Sequence, residues 1–424
     1  MPLHASSVDP QDAEILVDER VVCFASEDWW YHNPHSNKHL MQLLARTNNN
    51  RVLFVNSTGL SAPHLLHDRF AWQRIARKLH SLLIFLRQVE PNLYVLTPIA
   101  LPCTRRLRRL VGYVNRILIV AQVRAICGWL GFSRPIIWAA SPAAGTAAIA
   151  LRRKWARLLI YYCVDNLSFS RGVDTAYIQA LETQLQSAAD LIFFSGRRLF
   201  QERARQRSDI YLLSHGVDYD LFVRAQGSAE PLPADLQAIA QPVVGYIGLI
   251  RELDLELIAH IAARNQHVSF VFIGDLAMDV SSLRNHGNVH WLGKKSYEEL
   301  PRYLQGFRCC LLCYTRGDIC NEYRSPKKLL EYFATGLPVV ALQLAELQAC
   351  AHLVYQASNA QEFDLQLQRA LAEVDPDLRR LRIEAARARE WRVVVAEASR
   401  HIRKHLLLSG DNARPRRQVL QSAS

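Results

Sequence analysis

Residues 324–340 read RSPKKLLEYFATGLPVV. Ser325 is a natural N-cap and Pro326 a natural first helical residue, since an N-cap oxygen accepts a free backbone N–H and proline has none to lose. The spacing predicts a helix over Lys327–Thr335, closed by Gly336 and followed by a strand over Val339–Ala341. A helix feeding a short apolar strand is the repeating unit of a layered α/β fold. The same stretch carries chemistry. Lys328 and Glu331 are three residues apart and share a helix face. A helix N-terminus presents unpaired N–H groups and a positive dipole end that favour phosphate. Lys328 adds a full charge, and Glu331 can accept hydrogen bonds from a ribose diol. A plain i,i+3 salt bridge is the competing reading, but it explains neither the Ser-Pro entry nor the Gly-Leu-Pro exit.

Outward from this stretch, short apolar strands alternate with longer helical segments. Strands are expected at Val21–Ala25, Val52–Asn56, Leu93–Thr97, Pro135–Trp138, Leu158–Val164, Leu191–Ser195 and Ile210–Leu213. A second set is expected at Val243–Ile247, Val268–Ile273, Val289–Leu292 and Cys309–Cys313. Helical segments include Lys38–Arg46, Leu107–Leu130, Thr175–Ala188, Leu255–Arg264 and Asp375–Leu408. Gly227, Ser228, Pro231 and Pro233 interrupt the pattern and mark a linker. The chain therefore divides into an extension (1–19), a first domain (20–226), a linker (227–241), a second domain (242–390), a C-terminal helix (391–408) and a disordered tail (409–424). Open parallel sheets bind ligands at the carboxyl ends of their strands, so two facing domains build a cleft. In the second domain the first strand runs into Gly248, with Arg251 just beyond. Gly248 lets backbone amides approach an anion and Arg251 can reach a phosphate, although a tight turn with a surface arginine reads equally well.

The chain has 424 residues, of which 50% are hydrophobic and 21% charged, which excludes a mostly disordered or low-complexity chain. The net charge is +12. Residues 64–132 hold eleven basic side chains against Asp68 and Glu90, a net +9 in one stretch. Such a field attracts anionic surfaces. These residues lie on helices rich in Leu, Ile and Trp without a nucleic-acid recognition motif, so nucleic acid is not expected as a partner. With Trp72, Phe85, Leu86, Ile117 and Trp129 on the same segments, they suit an anionic membrane surface. The acidic N-terminal stretch lacks a secretory signal's apolar run, and no stretch reaches the roughly 20 apolar residues of a membrane-spanning helix. The expectation is a cytoplasmic chain resting on the inner face of the plasma membrane. The nine cysteines are scattered; Cys310 and Cys313 have CxxC spacing but fall in a strand pattern and read as reduced core thiols, so no metal is expected.

The motifs together resemble family 4-like GT-B glycosyltransferases, with closest likeness to teichuronic-acid-type enzymes that assemble surface polysaccharides. Residues 325–340 resemble the SPxKxxEYxAxGxPVV signature. Gly245–Gly248 is similar to the family's GYxG strand, Phe272–Gly274 to FxG, and Asn288–Gly293 to NVxxLG. Tyr161–Asp165 resembles a YxCVD strand end, and His215–Asp218 resembles NGVD with histidine in place of asparagine. The resemblance implies two Rossmann-like βαβ domains, a C-terminal helix returning to the first of them, and a nucleotide-sugar donor on the second. Glu331 would hold the ribose and Lys328 with Arg251 the diphosphate, in a metal-independent, cofactor-free, retaining transfer. Gly248, Gly274, Ser325 and Glu322 complete the implied donor site. The family's second glutamate stands eight positions before the ribose glutamate; here that position is Tyr323, and Glu322 is one place off. The acceptor, a lipid-linked or growing glycan, would meet Asp28, Trp29, Trp30 and His35, where the family's glycine-rich loop is replaced by aromatics. Asp165, at a strand end facing the cleft, is a candidate contact or base. An epimerase or hydrolase on the same fold, or a non-catalytic glycan binder, are the other readings.

Overall fold

The computed structural model describes residues 12–31, 33–58, 80–81, 83–102, 107–164, 174–205, 207–227 and 230–410. The first sheet is built from β1 (Arg20–Phe24), β2 (Arg51–Val55), β3 (Leu86–Glu90), β4 (Leu93–Leu96), β5 (Ile136–Ala139), β6 (Leu158–Cys163), β7 (Leu191–Phe194) and β8 (Ile210–Leu212). Their order is β3-β4-β2-β1-β5-β6-β7-β8, parallel except for the β3–β4 pair. The second sheet comprises β9 (Val243–Ile247), β10 (Ser269–Ile273), β11 (Val289–Gly293), β12 (Cys309–Leu312), β13 (Val339–Leu342) and β14 (Tyr355–Ala357), in the order β11-β10-β9-β12-β13-β14. That is the doubly wound pattern in which the strand order reverses beside the first strand, opening a crevice between β9 and β12. Strands β9, β10, β12 and β13 are buried along their whole length, because helices cover both faces.

The expected strands are all present within a residue or two of their ends. β3 and β14 are additional: β3 is a half-exposed edge strand containing Arg87, Gln88 and Glu90, and β14 has only three residues. Neither carries the apolar run that marks a buried strand. The segment expected as one helix over Asp375–Leu408 is two, Pro376–Arg387 and Trp391–Leu408. The break has a topological reason. Pro376–Arg387 packs against the helix Lys328–Thr335 of the second domain, whereas Val394, Val395, Ala398 and Ile402 lie in the first-domain core. At the break, Glu390 bridges to Val217, so the two crossings between domains run side by side. Val217 and Phe222, ahead of the expected 227–241 linker, already pack in the second core. Part of the 1–19 extension is also structural, since Ile15 and Leu16 are buried beside the last helix and the Leu16 N–H bonds Ser399 Oγ. Most of the tail, from residue 411, lies outside the described residues.

The cysteines described are free, and those of the CxxC pair are buried; burial pushes the Cys313 thiol up to about 12. The helix Arg108–Trp129 is long and apolar enough to cross a membrane by length and composition, contrary to the expectation that no stretch would be. Its Ile119, Val123, Ile126 and Cys127 nevertheless pack into the first-domain core.

Trp391 is the pivot of the returning helix, packed over Gly216, where any side chain would collide with the indole. Trp391→Ala is expected to cost about 3–5 kcal/mol, as large aromatic truncations in a core do. Urea unfolding followed by circular dichroism measures it; a loss below about 1 kcal/mol would show that the helix is not anchored there.

Candidate active site

The carboxyl ends of β9 and β12 converge on the Lys328 side chain. Lys328 is half-buried; its ammonium donates to Tyr246 Oη at 2.5 Å and lies 3.8 Å from the centre of the Tyr246 ring. The Tyr246 hydroxyl donates onward to the Leu249 carbonyl at 3.0 Å. Tyr314, just past β12, faces Lys328 at 5.4 Å and Arg324 at 4.7 Å, so one ring lies near two cations. Burial, followed by repulsion from Arg324, pushes the Lys328 ammonium down to about 7. A half-buried cation whose direct partners are a phenol and aromatic rings, with Glu331 acting on it only through space, favours an anion beside it.

The glycines explain how the lysine fits. Gly248 has φ +136° and a Cβ there would stand 2.5 Å from Lys328 Nζ. Gly274, at φ +151°, would place a Cβ 1.9 Å from the Gly248 carbonyl oxygen. Only glycine adopts these conformations and allows the loops after β9 and β10 to touch.

The helix begins at Lys328 with Lys327 as its N-cap residue, so Ser325 does not cap it as the sequence suggests. Ser325 instead belongs to the domain contact: its backbone hydrogen-bonds His215, whose Nδ1 lies 2.8 Å from Ser36 Oγ. Burial, then the nearby Lys327 charge, pushes His215 down to about 3, so this imidazole is neutral. Glu331 is buried; its Oε1 accepts from Tyr297 Oη at 3.1 Å and from Lys327 Nζ at 3.2 Å. The salt bridge available to Glu331 is therefore with Lys327, not Lys328.

Arg251 is half exposed and touches Glu252 at 3.3 Å, on the loop after β9. The cation drawn deeper into the crevice is Arg324, which pairs with the buried Glu252 and donates to Asn321 Oδ1 at 2.8 Å. Arg324, Tyr246, Tyr314, Tyr297 and Lys327 escaped the sequence reading. Arg324 stands immediately before the Ser-Pro entry, the one signal that marks it. Glu322 turns away from Glu331 and bonds Arg198 of the first domain at 3.0 Å, while Tyr323 donates to Glu202 at 3.0 Å. These two residues thus join the domains.

Of the acceptor candidates, Trp29 is buried, edge-on to Phe54 at 5.0 Å, with Lys38 Nζ 4.5 Å above its ring. It is core packing, not an open stacking platform. Asp28 accepts from the Trp30 N–H within its own loop and from Ser81 Oγ of a distant segment. Trp30 is half-buried beside Arg87, and its indole N–H has no partner among the described residues. His35 is exposed at the start of the helix Ser36–Arg46. Asp165 lies outside the described residues. Among the described residues no group of three or more His, Cys, Asp or Glu side chains is placed to hold a metal ion. Asp218 and Asp375 cap the helices that follow them.

Residues 241–373 match the family described as glycosyl transferases group 1. No curated protein matches the chain. Among solved structures the chain is similar to a sucrose-phosphate synthase from Thermosynechococcus elongatus, at 16% identity and TM-score 0.64 over 92% of this chain and 100% of that one. It is similar also to the catalytic domain of starch synthase IV from Arabidopsis thaliana bound to ADP and acarbose (11% identity, TM-score 0.61, 92% and 99% covered). A third likeness is to HepE from Anabaena in complex with UDP (15% identity, TM-score 0.56, 92% and 100% covered). The chain has the GT-B fold, two parallel-sheet domains facing a cleft, and its second domain is matched as a glycosyltransferase domain, which supports a transferase.

The depressed Lys328 sets a pH signature. In the free protein the ammonium is charged below about pH 7 and loses its proton above it. Affinity for pyrophosphate, used as a diphosphate probe, is therefore expected to fall as pH rises from 7 to 9, and Lys328→Met should abolish that slope. Calorimetric titration across this range checks it; a pH-independent wild-type affinity would contradict the ammonium site.

Proposed function

We propose that the protein is a glycosyltransferase that moves a sugar from a nucleotide-diphosphate sugar, UDP-sugar first among them, to a lipid-linked or growing glycan in surface polysaccharide assembly. The observation that carries this reading is the half-buried Lys328 at the β9/β12 crevice of a domain matched as group 1 glycosyltransferase. In the reaction the bond between the sugar's anomeric carbon and the diphosphate oxygen breaks, one to the acceptor's hydroxyl oxygen forms, and the proton of that hydroxyl passes to the departing diphosphate. Negative charge grows on the departing nucleotide diphosphate. Lys328 and Arg324, with Arg251 at the rim, stabilise it in a water-poor site where such stabilisation is strongest. Glu331 holds the ribose. The anomeric configuration is retained, and neither metal nor cofactor takes part.

A panel of UDP-, GDP- and ADP-sugars, assayed for donor turnover with and without glycan acceptor, tests the reading. Lys328→Ala and Glu331→Ala are expected to lose on the order of 10²-fold in turnover, the size of effect seen when a charge-stabilising donor is removed. Full activity in both would defeat the site assignment. Donor cleavage that no acceptor accelerates would favour a hydrolase.

The acceptor domain rests, in this reading, on an anionic membrane surface through residues 64–132, of which 64–79, 82 and 103–106 lie outside the described residues. The support is the outer face of the helix Arg108–Trp129. Leu110, Tyr113, Ile117 and Trp129 are exposed there, with Arg109, Arg116 and Arg124 beside them. Apolar side chains that insert, flanked by cations, suit an interfacial helix. Co-sedimentation should be strong with vesicles containing phosphatidylglycerol, weak with neutral vesicles, and lost in the triple change Leu110→Ser, Ile117→Ser, Trp129→Ser. Equal recovery on both vesicle types would remove the proposal.

A further inference from the structure

We propose that Lys327 is a positioning residue, a strut that fixes Glu331, the carboxylate read as the ligand of the donor's ribose, against the acceptor domain and so sets the closed geometry of the cleft. The proposal rests on the donor reading of Glu331. Lys327 lies just outside the crevice, one residue before Lys328. An ammonium has three N–H donors. One bonds the Pro34 carbonyl oxygen of the first domain at 2.7 Å, and another lies 3.2 Å from Glu331 Oε1 in the second. The Tyr297 ring covers the same ammonium at 5.0 Å, and the Tyr297 hydroxyl donates to the same carboxylate oxygen at 3.1 Å. Glu331 Oε1 therefore has both its donors in place. Oε2 has no hydrogen-bond partner among the described residues and is left for ribose hydroxyls.

The consequence is mechanical. Ribose bound to Oε2 is held by a carboxylate whose other oxygen is fixed, through Lys327, to the loop that precedes the helix Ser36–Arg46. The acceptor wall and the donor then move as one body. Neighbouring contacts reinforce the tie without touching Glu331: Lys294 Nζ donates to the Tyr31 carbonyl at 3.1 Å, and His215 joins Ser36 to Ser325. Reacting atoms must be brought to near contact distance, and small misplacements of a bound pair cost large factors in rate. A group that touches neither diphosphate nor sugar can therefore control turnover.

The test uses the full chain and the variants Lys327→Met and Lys327→Arg. Lys327→Met keeps the length of the side chain and removes its charge and donors. It is expected to bind UDP within about threefold of wild type, while kcat falls about ten- to a hundredfold with little change in donor KM. X-ray scattering of the ligand-free variant should show a larger radius of gyration than wild type, and Lys327→Arg should recover most of the rate. Unchanged kcat overturns the proposal. Loss of rate with unchanged scattering also overturns it, because Lys327 would then act only locally. A wild-type chain that binds no nucleotide, yet expands on Lys327→Met, defeats the donor reading and leaves the strut in place.

Discussion

A primary ammonium half-buried at the β9/β12 crevice is the constraint on which the rest of the second domain depends. Taking part of such a charge out of water is costly unless partners compensate. Around Lys328 the contacts among the described residues are one phenolic oxygen and two aromatic faces, with Glu331 acting only through space. Aromatic rings attract a cation through their electron-rich faces, but by less than a full opposite charge. The space that keeps the lysine there exists because Gly248 and Gly274 lack side chains. Gly245 serves the same arrangement from below, since a Cβ on it would overlap the Phe307 ring at 1.8 Å. The glycines, the tyrosines and the lysine form one unit, and the diphosphate of a donor would be its natural counter-charge.

The second constraint is connectivity. The chain leaves the first domain near His215 and returns at Trp391, and the two crossings are bonded to each other through Val217 and Glu390. Both crossings therefore lie together, and the other ties between the domains are contacts across the cleft. They include two groups: Lys327 and Lys294 meet Pro34 and Tyr31, with Ser325 reaching His215 beside them, while Glu322, Tyr323 and Glu346 meet the helix Arg197–Arg203. Tyr323 spans the domains through its hydroxyl, which donates to Glu202.

Sequence reading recovered the strands that are buried on both faces, because their unbroken apolar runs admit few alternatives. It missed β3 and β14, whose short or half-exposed sequences resemble loops, and it fused the last two helices because nothing in residues 388–390 is a strong breaker. Only the need to cross between two cores separates them. Lys328, Glu331 and Gly248 were legible as a grouped feature because helix spacing and turn chemistry tie them to local structure, whereas Gly274 came only through the family resemblance. Arg324 and Tyr246 were not legible, since their roles come from tertiary proximity: Arg324 is oriented by Glu252, seventy-two residues away. Trp29 shows the limit of composition: aromatic residues at a strand end suit either sugar stacking or a buried cluster, and packing against Phe54 makes this one buried.

The adjacent lysines at 327 and 328 show how much one dipeptide can settle. Successive residues of a helix project about 100° apart around its axis. Placed at the first turn, the pair must therefore diverge: one side chain enters the crevice beneath Gly248, and the other crosses the cleft to Pro34. Each charge serves a different domain, yet both sit within one turn of the carboxylate at 331. A donor that engages Lys328 and Glu331 thus acts on the same helical turn that Lys327 fastens to the acceptor side. Displacing either lysine by one position would rotate its charge out of reach of its partner while leaving composition, net charge and helix propensity unchanged. The specificity of the site lies in that angular placement, not in the number of cations.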